Sequence, residues 1–380
     1  VQNPTCFVSE RKSNEKVCAL ALSILTTIGA TAADSAWAAQ TSVHLYNWYD
    51  FIAPETPKAF QKETGTRVVL DTFDSAETAQ GKLMVGRSGY DVVVITSNIL
   101  PGLIKAGVLQ ELDRDRLPHW KNLDADILGK LQANDPGNRY AVPYLWGTTG
   151  IAYDVDKVRK LLGPDAPVDS WDLVFKEENI SRLSQCGVAT LDSSTELVSI
   201  ALNYLGLPHN SQNPEDYQKA QELLLKVRPY IRYFDSSRVD TDLSNGNVCV
   251  VVGWQGTAYM AQVNNEQAGN GRHIAYSIPR EGSLVWAENM VLLKDAPHPQ
   301  QGYALIDYLL RPEVIARTSN YVGYPNGNQA ALPLVERKLR ENPAVYLSKE
   351  TMATLFPLET LPLKVERIRT RVWSRVKTGS

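Results

Sequence analysis

Hydrophobic and polar positions along this chain switch repeatedly between the two-residue period of strands and the longer period of helices. Residues 43–46 form a short apolar strand that runs out into Trp48, Tyr49, Asp50 and Phe51, aromatic rings around a carboxylate. Residues 54–64 follow with helical spacing, Pro near the start and Gly65 just past the end, the usual asymmetry of helix termini. Residues 67–73 read as a strand, 76–85 as a helix stopped by Gly86, and 90–96 as a continuous β-branched run of the kind covered on both faces. A further helix, 100–106, stops at Gly107. This alternation predicts a doubly wound α/β lobe.

Residues 140–154 change the rhythm. Pro143, Gly147 and Gly150 fall within one β-like run, which predicts a bent crossover between two lobes rather than a central strand. Beyond it, 170–175 and 177–184 read as helices, 186–191 as a strand, 196–205 as a helix, and 214–227 as an amphipathic helix. A second buried strand, 248–254, ends on Trp254 and hands over to a helix, 257–264, repeating the pattern at Trp48. Strands 274–278 and 283–293 are expected to return the chain to the first lobe, the latter carrying Trp286 and Glu288. Helices at 300–310 and 312–318 precede a loop with Tyr324, and the basic tail, 364–377, reads as a solvated helix face.

Length favours two lobes, since single cores stop growing near ~250–300 residues and this chain has 380. A net charge of −3 gives no basic footprint for nucleic acid. Arg11, Lys12 and Lys16 precede an apolar run, 17–33, and Ala36 and Ala38 offer small residues at a cleavage position, so 1–38 is expected to be a secretory signal peptide, with a membrane anchor as the alternative. Cys6 and Cys18 leave with such a leader. The remaining pair, Cys186 and Cys249, is then expected to be bridged in an oxidising compartment, two buried free thiols being the alternative.

Candidate chemistry is sparse. There is no phosphate-cradling Gly-rich loop, nucleophile elbow or HExxH pattern, and the histidines His44, His119, His209, His273 and His298 lack metal-ligand spacing. No cofactor or metal is expected. Convergence of Asp50, Glu196 and Glu288 as the carboxylates of a secreted glycoside hydrolase is the best enzyme reading. Trp48 with Asp50 at a strand end suits instead a ligand that is both cationic and apolar, with core packing plus a helix cap as the bland alternative. An exported two-lobed α/β chain with aromatic and acidic residues at element ends fits a solute-binding protein better than an enzyme.

The chain closely resembles the periplasmic polyamine-binding proteins of bacterial ABC importers, the putrescine- and spermidine-binding family. LYNWYDFIAPET (45–56), FDSAETAQGKLMVGRSGYDVVV (73–94), WKNLD (120–124), TTGIAYDVDKV (148–158), PVDSWDL (167–173), LNYLG (202–206), RPYIRYF (228–234) and YLLRPEV (308–314) carry the resemblance. It implies a periplasmic monomer with a type II-like periplasmic binding-protein fold, α/β, each lobe a mixed sheet flanked by helices and the ligand in the cleft between. The lobes are expected to be 40–146 with 266–313, and 147–265 with 314–380. The partners implied are a polyamine and an inner-membrane ABC permease. Position by position, the resemblance puts ligand contacts on Trp48, Asp50, Thr96, Glu196, Trp254, Trp286, Glu288 and Tyr324, and Cys186 and Cys249 match a disulfide seen among relatives.

Three departures from putrescine-preferring relatives bear on ligand length. Tyr49 and Phe51 stand where those relatives have Ser and Tyr, Thr257 replaces an Asp, and Trp286 with Glu288 replaces a Phe–Asp arrangement. Loss of one carboxylate and gain of a larger indole wall predict spermidine over putrescine, with a putrescine-preferring or other cationic-solute binder as the alternative.

Overall fold

The structure, a computed structural model, describes residues 41–49, 51–73, 76–357 and 359–379; the expected signal peptide with Cys6 and Cys18, and Asp50, lie outside them. Its strands are β1 Ser42–Trp48, β2 Arg67–Phe73, β3 Val92–Thr96, β4 Ala141–Asp154, β5 Val188–Thr190, β6 Ile231–Phe234, β7 Val250–Trp254, β8 Ile274–Ser277, β9 Leu284–Leu292 and β10 Phe356–Pro357. The β-branched runs expected to be covered on both faces are so: all of β3 is buried, as is β7 up to its last residue, Trp254.

The strands run in the order β2-β1-β3-β9-β4-β7-β5-β6, with β10 on β9 and β8 on β4. β1, β2 and β3 are parallel, and β9 lies antiparallel between β3 and β4. On the other side β5 is parallel to β6 and β7, while β7 and β8 flank β4 antiparallel. Mixed pairing of this kind, with helices between the strands, is the α/β arrangement that the resemblance implies; the alternation of periods alone points to a doubly wound lobe, and the antiparallel strand β9 departs from that.

β4 is where the two halves meet, and it corrects the sequence reading. Expected as a bent crossover rather than a central strand, 141–154 does pass from one half to the other, but as one wholly buried strand. Its first part pairs with β9 through Thr148, and its second part pairs with β7 from Thr149 onward. Pro143 is accommodated at an irregularity in the β9 register between Pro143 and Leu145, one of the few places in a sheet where proline fits. Gly147 and Gly150 do not turn the chain. A Cβ on Gly147 would lie 2.5 Å from the Trp286 ring, and one on Gly150 would lie 2.5 Å from the Ser277 carbonyl.

Other expectations shift with the packing. β8, expected to return to the first lobe, pairs with the distal part of β4 over Ile151–Asp154. Val314, Ile315, Val322 and Val345 share a core with Val43, Leu45 and Val92, whereas Val365, Val372 and Trp373 share one with Val188 and Val250. The basic tail is a helix, Leu363–Thr378, that buries Val365, Arg369, Val372, Trp373 and Val376 along one face, with Trp373 Nε1 donating to Asp192 Oδ1 at 2.8 Å. Only its opposite face is solvated. The Cys186–Cys249 disulfide, with Cα atoms 5.5 Å apart, ties the residues leading into the paired strands β5 and β7.

Candidate functional site

Two carboxylates organise the region where β1, β3, β4, β7 and β9 come together. Glu288 faces Thr96 across the β3–β9 ladder, and β1 brings Trp48 alongside. Thr96 Oγ1 donates to Glu288 Oε1 at 2.7 Å and Trp48 Nε1 donates to Glu288 Oε2 at 2.7 Å. The Trp48 ring is held by Phe73 at the end of β2, with centroids 4.6 Å apart.

Glu196 mirrors this arrangement from the other half. Ser193 caps the helix Ser194–Tyr204, accepting from the Glu196 N–H at 3.3 Å, and so sets Glu196 in the first turn. The spacing Ser193-x-x-Glu196 is that of a capping box, yet the carboxylate turns mainly across the sheets. Trp254 Nε1 donates to its two oxygens at 3.0 and 3.1 Å, and Thr149 Oγ1 donates to Oε2. Thr149 pairs with Trp254 across the β4–β7 ladder, which explains why both reach one carboxylate.

Each acid is thus gripped by one indole N–H and one threonine hydroxyl. Both are about 5% exposed, and among the described residues no cationic side chain lies within ion-pair distance of either. Burial without a counter-charge disfavours the ionised form. It pushes Glu288 up to about 8, against the opposing pull of the Thr96 and Trp48 hydrogen bonds, and it raises Glu196 as well, against Thr149, Trp254 and Ser193.

A cluster of aromatic rings adjoins the acids. Trp286 and Tyr324 meet edge to face with centroids 5.3 Å apart, and Phe51 lies 5.6 Å from Tyr324. Tyr324 packs against apolar clusters of both halves, and its burial, with a smaller effect of the negative charge of Glu288 and Glu196, raises its hydroxyl. Its loop is fixed from β4: Trp146 N donates to Pro325 O at 3.0 Å, Trp146 Nε1 to Asn326 O at 3.1 Å, and Gly327 N to Tyr144 O at 3.0 Å. Unlike the other two indoles, Trp286 finds no acceptor for its buried Nε1 and offers only its faces and edges.

The expected site residues therefore gather unevenly. Trp48, Thr96 and Glu288 form one cluster, Glu196 and Trp254 a second, and Trp286, Tyr324 and Phe51 a third, aromatic one. Thr257 is buried in the first turn of the helix Gln255–Ala268, beside Gly253. Tyr49 is 76% exposed, and Asp50 lies outside the described residues. Thr149 was not anticipated; a polar residue two positions from Gly147 on the same face of a wholly buried strand was the available signal.

Chemically, the arrangement offers two buried carboxyl groups, ready to ionise against a cation, flanked by flat apolar walls. That combination suits cationic groups carried on an apolar stem, through charge-assisted hydrogen bonds and cation–π attraction. Among the described residues no cluster of acidic, His or Cys side chains could hold a metal ion.

Comparison with known proteins supplies the family. Residues 55–345 match the family model described as bacterial extracellular solute-binding protein. Over 354 residues the chain is 47% identical to the putrescine-binding periplasmic protein SpuD of Pseudomonas aeruginosa, covering 93% of this chain and 96% of that one. It is 46% identical over 354 residues to the putrescine-binding periplasmic protein PotF of Escherichia coli, covering 93% and 94%. Among solved structures, the spermidine/putrescine ABC transporter substrate-binding protein PotD of Streptococcus pneumoniae aligns with a TM-score of 0.79 at 28% identity, covering 89% of this chain and 99% of that one.

Proposed function

We propose, from the premise that the chain belongs to the bacterial extracellular solute-binding proteins, that it captures a polyamine in the periplasm and delivers it to an inner-membrane ABC permease. The family is one of binding proteins, not enzymes, and the carboxylate-hydrolase reading falls with it. One observation carries the ligand class: two buried carboxylates, each held only by neutral donors and walled by aromatic rings. Ammonium groups joined by methylenes would supply the missing counter-charges and stack along Trp48, Trp254, Trp286 and Tyr324, at roughly 0.5–2 kcal/mol for each cation–π contact. The names of the two relatives above 45% identity support the same class.

Within that class, near-full-length similarity to two putrescine-binding proteins puts putrescine first. The expected preference for spermidine rests on Trp286 and Thr257 and stands as the second reading, favoured by the large indole packed on Tyr324. A ligand bridging the two acids would shift the population toward a closed form of a monomer, the state the permease receives. Calorimetric titration with putrescine, cadaverine, spermidine and spermine tests the proposal. Saturable one-to-one binding is expected; no saturation with any of the four overturns it, and the ratio of the putrescine and spermidine constants decides between the readings.

A further inference from the structure

We infer that Gly147 and Gly256 set the ligand length this site accepts, because their missing side chains are the seats into which Trp286 and Tyr324 fit. This inference rests on the polyamine reading above. Gly147 is the direct cross-strand partner of Trp286 in the β4–β9 ladder. A Cβ there would stand 2.5 Å from Cζ2 and 2.8 Å from Cη2 of the indole, and 3.1 Å from Cε1 of Tyr324. Gly256, in the first turn of the helix Gln255–Ala268, faces the other ring: a Cβ would stand 2.1 Å from Cζ and 2.2 Å from the hydroxyl of Tyr324.

Neither glycine is there for its backbone. Both lie outside the positive-φ set, so an alanine meets no conformational strain and acts through volume alone. The rings cannot simply swing clear, since Trp286 is only 8% exposed and packs edge to face on Tyr324. A methyl group at 147 must therefore displace the indole from β4, and one at 256 must displace the phenol from the helix Gln255–Ala268. On this inference the displaced rings encroach on the ligand, and longer polyamines, which need more room, lose more. These glycines are positioning residues; they act through the rings without touching ligand.

The test is a double-mutant cycle on the full chain, read by calorimetry with putrescine and spermidine. Gly147→Ala is expected to weaken spermidine at least tenfold and putrescine less, so that the spermidine-to-putrescine ratio falls. Trp286→Phe removes the indole atoms that the methyl group would strike, and in that background Gly147→Ala is expected to change spermidine binding less than threefold. Gly256→Ala with Tyr324→Leu repeats the cycle on the second ring. An equal loss for both ligands, or the same loss in the Trp286→Phe background, overturns the inference. Failure of the polyamine reading looks different: the unsubstituted protein then binds neither ligand.

Discussion

Glu288 gives the sharpest prediction for ligand binding. Burial moves its carboxyl from 4.5 to about 8, so at neutral pH the ligand-free protein holds a proton there. An ammonium group pairs with the ionised form, and binding must expel that proton. Well below pH 8 each unit of acidification is therefore expected to weaken binding tenfold, about 1.4 kcal/mol, which amounts to roughly fiftyfold between pH 8 and pH 6. Glu196, shifted in the same direction, can only steepen this slope. Titrations with putrescine at pH 6, 7 and 8, each in two buffers of different ionisation heat, read both the slope and the proton released. Glu288→Gln is expected to flatten the slope and to weaken binding at pH 8.

Stability of the ligand-free protein follows the same linkage with a definite sign. The folded carboxyl titrates above its unfolded value of 4.5, so as pH rises the unfolded chain gives up its proton first and is favoured. The stabilising contribution is whole below pH 4.5 and lost on climbing through pH 8; a displacement from 4.5 to about 8 corresponds to on the order of 4–5 kcal/mol. Ligand-free Glu288→Gln should then melt higher than the unsubstituted protein at pH 8 although it binds less well. Binding that stays constant from pH 6 to pH 8, together with heats independent of buffer, would refute the assignment of a protonated acid at this position.

Thr149→Val keeps the shape of the β4 side chain but removes a donor to a buried carboxyl group, worth about 1.5–3 kcal/mol for a charged acceptor, so the ligand-free protein should lose unfolding free energy of that order in urea, and putrescine affinity should fall with it by calorimetry. Replacing Cys186 and Cys249 by Ser opens a cross-link spanning 63 residues, which the chain-entropy relation values at about 4 kcal/mol, and urea unfolding of this variant should match that of the reduced native protein. Trp171 is fully buried and donates from Nε1 to Gly282 O at 2.9 Å; Trp171→Ala should lower unfolding free energy by about 3–5 kcal/mol in the same assay.

Much of this could be read from the chain because the relevant signals are local. Helix ends were marked by Gly65, Gly86 and Gly107, and all three follow their helices in the left-handed conformation, at φ 73°, 73° and 69°. The buried strands β3 and β7 declared themselves by unbroken β-branched runs, and Trp48 and Trp254 by standing at strand ends. The misreadings share a different cause. Pro143, Gly147 and Gly150 look like turn residues when only their neighbours in sequence are considered, yet each is explained by what lies across the sheet: a register irregularity, an indole and a backbone carbonyl. Thr149 likewise seemed an ordinary strand residue until β7 and the helix Ser194–Tyr204 brought Trp254 and Glu196 against it. A glycine licensed by backbone conformation announces itself through turn chemistry nearby. A glycine licensed by the volume of a ring that arrives from 139 residues further along, as Trp286 does at Gly147, leaves no local trace, and only the register of β4 against β9 reveals it.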